Sequence, residues 1–87
     1  METIYKYDVN IDDQQTVVMP EGYKILSIQV QDREVKLWAL VNPENIPVAV
    51  KIYIRGTGHP CKGMMDKKYI STFQMRNGQL VFHAFTD

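Results

Sequence analysis

Six consecutive residues, Arg55-Gly56-Thr57-Gly58-His59-Pro60, interrupt an otherwise β-patterned chain with the residue types needed to hold an anion. Glycine at 56 and 58 frees the backbone to take positive φ and turn its N–H groups toward one point. Arg55 adds a fork donor, and His59 a ring that can stack or hydrogen-bond. The same residues suffice for a plain turn between strands. No Gly-Lys-Ser/Thr follows, and no G-x-G-x-x-G opens a helix, so neither common phosphate fingerprint is present. The chemistry expected of Arg55, Gly56, Thr57, Gly58 and His59 is therefore non-covalent binding of a small phosphorylated ligand, with turn formation as the alternative.

Other reactive side chains are sparse. His59, Cys61 and His83 fall short of the closed ligand set of a structural zinc, and His83 is expected beside Thr72 on a strand, where a polar contact suits it. Cys61 has no independent base and no third group to orient one, so it reads as a minor hydrophobe. Asp12, Asp13 and Asp32 stand in turn-like segments, where aspartate serves local hydrogen bonds. No catalytic residue, metal or cofactor is assigned, and binding is expected rather than catalysis.

The elements that must position these residues are strands. Ile4 to Val9 alternates at period two, with Tyr5, Tyr7 and Val9 on one face. Thr16 to Met19 is a short β-branched run closed by Pro20-Glu21-Gly22. In Tyr23 to Gln31, Leu26, Ile28 and Val30 are expected on the buried face. In Glu34 to Val41, Val35, Leu37, Ala39 and Val41 alternate with Lys36, Trp38 and Leu40. Trp38, the only tryptophan, is expected in the core. Two prolines make 42–47 a loop, and Val48 to Arg55 then carries a β-branched face of Val48, Val50, Ile52 and Ile54.

After a loop from Gly56 to Lys68 come two runs separated by Asn77-Gly78, the strongest short-range hairpin signal. A two-residue turn pairs Arg76 with Gln79, Met75 with Leu80, Phe73 with Phe82, Thr72 with His83 and Ser71 with Ala84. About seven short strands make a small antiparallel β-sandwich or partly open barrel, all-β, in one domain over residues 1–87. The alternative is an α+β form with one short helical turn at Pro60 to Lys68.

Composition bounds the partners. Ten basic and ten acidic side chains give a net charge of +0, so no field draws in DNA or a lipid surface, and general nucleic-acid or membrane binding is not expected. One cysteine excludes an internal disulfide and suits a reducing compartment. Tyrosines 5, 7, 53 and 69 on strands, together with unpaired strand edges, favour a homo-oligomer.

Taken together, Ile4-Tyr5-Lys6-Tyr7, Met19-Pro20, Ile25 to Gln29, Leu37 to Val41, Gly56 to Pro60, Thr72-Phe73-Gln74 and Leu80 to His83 resemble a family of small phage-encoded proteins of unknown function. The resemblance spans nearly the whole chain. It implies a viral origin and the host bacterial cytoplasm, and it brings no catalytic residues. On that footing the expected function is sequestration of a small phosphorylated ligand, such as a nucleotide signal of host anti-phage defence, through the Arg55–His59 loop. The alternative is a protein-binding module that inhibits a host factor or serves in phage development.

Overall fold

The structure, a computed structural model, describes all 87 residues. Seven strands run in the order β1 (Thr3–Asp8), β2 (Gln14–Pro20), β3 (Lys24–Gln31), β4 (Glu34–Val41), β5 (Pro47–Gly56), β6 (Lys68–Met75) and β7 (Leu80–Thr86). They form a three-stranded antiparallel sheet, β1-β4-β3, and a four-stranded one, β2-β5-β7-β6. The expected sandwich is thus observed, without closure into a barrel. The segment between Pro60 and Lys68 holds only one 3₁₀ turn, Met64–Asp66, so the α+β alternative does not apply. No helix is long and apolar enough to cross a membrane.

The core lies between the sheets, where period-two alternation sends one face of each strand inward. Val35, Leu37, Ala39 and Val41 of β4 meet Val50, Ile52 and Ile54 of β5, and all are buried. Phe73 and Phe82, paired across β6 and β7 as expected, stack with ring centroids 5.7 Å apart. Tyr7 of β1 is half-buried against the same cluster and Val9, just past the strand, is buried in it, so the aromatic face is the inner one.

Two bulges displace the simple pattern. Between the pairs Ile25–Ala39 and Ser27–Trp38, β3 carries an extra residue, Leu26. A bulge reverses the phase of everything before it. Ile28 and Val30 therefore keep the inward face, but Ile25 takes the place expected of Leu26, which is 45% exposed. Ile70 is the corresponding extra residue on β6, between the pairs Tyr69–Phe85 and Ser71–Ala84. Trp38 also departs from expectation. It is half-buried on the outer face of β4, because its neighbours Leu37 and Ala39 hold the inner one.

The sheets are joined at one edge by a side chain. The Ser71 hydroxyl donates to the Ile28 carbonyl at 2.7 Å and accepts from the Ile28 N–H at 3.0 Å. Both groups of one β3 residue are thereby satisfied without a neighbouring strand, at a buried position. From this point β3 and β6 run in the same direction, and each enters a hairpin.

Both hairpins turn on left-handed backbone. Asp32 (φ 51) and Arg33 (φ 69) form a two-residue turn of type I′, with both central residues at positive φ. In the second, Asn77 (φ 57) and Gly78 (φ 85) do the same, and Gln79 donates to the Arg76 carbonyl at 3.1 Å. Arg76 is itself left-handed (φ 53), so it and Gln79 share that single turn bond rather than a ladder pair. A left-handed residue with a Cβ costs roughly 1–2 kcal/mol, less for Asp and Asn.

Replacing Ser71 with alanine leaves the Ile28 N–H and carbonyl without partners in a dry position. Each such group costs about 1–3 kcal/mol. Urea unfolding of Ser71→Ala is expected to show a loss of about 2–4 kcal/mol at unchanged m-value. A loss below about 0.5 kcal/mol would mean that the bridge is not what joins the sheets.

Candidate functional site

Arg55 to His59 stands at the end of β5 and leads into the connection to β6. Gly56 is still a strand residue, paired with Phe82, and its φ is not positive. Its lack of a Cβ serves close packing instead: a Cβ there would lie 2.7 Å from Nδ1 of His59, whose ring sits on the Gly56 backbone. Gly58 (φ 85) alone uses glycine's freedom, as the third residue of a turn closed by His59 N–H donating to the Gly56 carbonyl at 3.0 Å. With Thr57 at negative φ, this is a type II turn.

The donors expected to cradle phosphate are committed elsewhere. Thr57 N–H donates to the Val81 carbonyl at 3.0 Å, and His59 N–H closes the turn. The Arg55 guanidinium donates to the carbonyls of Asp13 and Ile54 and so ties β5 to the β1–β2 connection. Shallow depressions of about 300 and 210 Å³ flank His59, the second lined by Asp12 and Asp13, whose charge repels anions. The structure thus brings Gly56, Thr57, Gly58 and His59 together, but as a turn, and it directs Arg55 away from them.

Strand alternation puts Thr57 and His83 on the outer face of the four-stranded sheet, where a hydrogen-bonded chain forms that the loop sequence does not announce. Thr57 Oγ1 lies 2.8 Å from His83 Nε2, Thr72 Oγ1 lies 2.9 Å from His83 Nδ1, and Tyr69 OH lies 2.8 Å from Thr72 Oγ1. His83 is therefore held on both ring nitrogens, the satisfied contact expected from its pairing with Thr72. Cys61 is exposed, its thiol donating to the His59 carbonyl at 3.3 Å. His59, Cys61 and His83 do not converge on a common point.

Beside this chain, Tyr53 is 7% exposed although it points away from the main core. Lys67 covers its ring at 5.1 Å from the centroid, and Asp87 bonds both Lys67 Nζ at 2.7 Å and Tyr53 OH at 2.9 Å. These hydrogen bonds, that from Lys67 first, hold the Asp87 carboxyl below its usual range, and Asp87 in turn raises Lys67. Across the sandwich, the Tyr7 hydroxyl is buried without a partner, and burial foremost, with Tyr5 second, pushes its ionisation upward.

Two features lay outside the expected site. The outer face of the three-stranded sheet carries Ile4 and Leu40, exposed at 56 and 36%, beside Trp38, with Leu26, 45% exposed, at the bulge on its β3 edge. The register sets Ile4 opposite Leu40 and Lys6 opposite Trp38, with Lys24 on the far side of Leu40, so the apolar group is flanked by lysines. The other is a cleft of about 760 Å³ between the two hairpin tips. Alternation signals the first once the bulge is placed, whereas only the seam between β3 and β6 creates the second.

The two stacked antiparallel sheets define the class by architecture, a small β-sandwich. The chain belongs to the family of the domain of unknown function DUF7352, which matches residues 1–87. No curated protein and no solved structure matches it.

Two expectations follow from these contacts. Asp87 has its folded-state ionisation below the ordinary value of 3.8, so its contribution is complete above that pH and fades as pH falls below it. Lys67 is raised above 10.5, so its contribution is complete below that pH and fades as pH rises beyond it. Asp87→Asn should flatten both limbs of a stability profile in low salt. Equal slopes in the two proteins would show that the pair does not act. In addition, Gly56→Ala should displace the His59 ring, seen as shifted imidazole resonances, at a stability cost under about 1 kcal/mol because the exposed ring can move; unmoved resonances would refute the close approach.

Proposed function

We propose that this protein works by binding, as a module whose partner is another protein docked on the outer face of the β1-β4-β3 sheet. One observation carries this reading: Ile4 and Leu40, exposed and paired across β1 and β4, lie beside half-buried Trp38 on an open sheet face, with exposed Leu26 at the β3 bulge and the unpaired edge of β1 next to them. Contiguous exposed apolar surface with a tryptophan at its centre is the usual anatomy of a contact patch. A free strand edge adds backbone donors and acceptors for a partner to pair with. Lys6 and Lys24 flank the patch, so the partner chemistry that fits is an apolar surface rimmed by carboxylates. On the resemblance to small phage-encoded proteins, the partner we propose is a bacterial host factor in the host cytoplasm.

The second reading, sequestration of a small phosphorylated ligand, is weakened at the Arg55–His59 loop by the commitment of its donors. A specific arrangement elsewhere favours the same ligand class.

Ile4→Glu and Leu40→Glu place charge on exposed positions and should leave the fold intact. Affinity capture from bacterial lysate with the native chain is expected to yield a stoichiometric protein that both variants lose. Val18→Glu, at an exposed position on the opposite sheet, should retain it. Capture that all four proteins share, or none at all, would overturn the assignment of this face. A mass of two chains in sedimentation, lost in the same two variants, would give the face to a second copy instead.

A further inference from the structure

We propose that the cleft between the two hairpin tips binds a small phosphate monoester carrying a flat ring, as a nucleotide does. The inference goes beyond the protein-docking reading and stands without it. The cleft encloses about 760 Å³ between Val30 and Arg33 on one hairpin and Gln74, Met75, Arg76, Asn77 and Gly78 on the other. That volume lies within the range of small-molecule sites.

Its chemistry is anion-seeking. Arg33 and Arg76 come from opposite walls, and neither enters any of the ion pairs of the chain. Two guanidiniums offer paired N–H forks that match phosphate oxygens, and the Gln74 and Asn77 side chains add amide donors. The nearby carboxylates of Asp8 and Glu34 both pair with Lys36, and neither lines the cleft. Asp32 adjoins Arg33 in sequence but does not line the cleft. Between the arginines, half-buried Val30 and Met75 form an apolar floor, and a methionine thioether packs well against a flat ring.

The backbone supplies an independent observation. Every non-glycine residue of the chain at positive φ, namely Asp32, Arg33, Arg76 and Asn77, stands at these two tips. Arginine is a poor choice for a left-handed position that glycine fills freely, and strained residues of this kind concentrate where a side chain has a task. A long nucleic acid is a poorer fit than a small ester, because the balanced charge of the chain provides no field along which a polyanion would extend.

The strain also supplies a clean test. In Arg33→Gly/Arg76→Gly both guanidiniums are removed at positions where glycine relieves the backbone, so the variant should unfold at a temperature no lower than the parent. Titration calorimetry and side-chain NMR with adenosine monophosphate, adenosine and inorganic phosphate then read the site. The expected result is that adenosine monophosphate binds at least tenfold more tightly than either fragment, shifts the Arg33 and Arg76 Nε–H and the Gln74 and Asn77 amide resonances, and loses at least tenfold in the double variant. Adenosine binding as tightly as its monophosphate, unchanged affinity in the double variant, or no binding of any probe at millimolar concentration would each overturn the proposal. Equal affinity for inorganic phosphate and the monophosphate would remove the ring from it.

Discussion

The Ser71–Ile28 bridge is the contact on which the rest of the arrangement depends. Two stacked sheets in a small sandwich have four edges, and each edge leaves backbone donors and acceptors to be satisfied. Here β3 and β6 lie side by side without a ladder, and one hydroxyl does what a neighbouring strand would do, accepting from Ile28 N–H and donating to its carbonyl. The bridge pinches the seam. On one side of it both strands carry their bulges, at Leu26 and Ile70, and a cleft of about 360 Å³ opens between them. On the other side the strands run on to their hairpin tips and the larger arginine-lined cleft. The contact thus stands between the two clefts of the seam.

The outer faces of the two sheets are built on opposite principles. On the four-stranded sheet, Thr57, His83, Thr72 and Tyr69 form one hydrogen-bonded chain, and Lys67, Asp87 and Tyr53 form a second cluster beside it. Tyr69 also meets Phe85 edge to face at 5.9 Å. A face so internally satisfied offers a newcomer little, since any contact must first replace one already made. On the three-stranded sheet the apolar group has no covering element, and the ion pairs of Lys36 with Asp8 and Glu34 lie toward the other end of the face. The difference in what remains unsatisfied, rather than residue type alone, is the ground on which that sheet is proposed as the docking face.

How far the sequence spoke for this fold differs from element to element. Strand β5 and the β6–β7 hairpin were legible because their signals are local: uninterrupted alternation in one, and Asn77-Gly78 between alternating runs in the other. The buried row of β4 was legible for the same reason, yet Trp38 was not, because hydrophobicity says a residue wants cover but period two decides which face it occupies. Leu26 was misplaced by the bulge at its own position, which nothing in Tyr23 to Gln31 announces. The Arg55–His59 segment was read as a break in the pattern, but Arg55 and Gly56 continue β5 and the strand gives way to the turn only at Thr57. What could not be seen was the long-range pairing that spends its donors, with Val81 taking Thr57 N–H and Asp13 taking the guanidinium of Arg55. Gly56 looked like a hinge for the backbone and proved to be a seat for the His59 ring.

The two clusters of glycine-like conformation make the same point in reverse. Gly58 occupies its left-handed position without the Cβ penalty, and the turn it makes is closed by its own backbone. At the hairpin tips the chain places arginine, aspartate and asparagine in conformations that glycine would take more cheaply. Pattern reading favours the glycine-rich loop because glycine is visible, whereas strain becomes visible only when φ is known. The type I′ turns demand positive φ, and it is the choice of arginine where glycine is cheaper, with both arginines lining a single cleft, on which the ligand proposal rests.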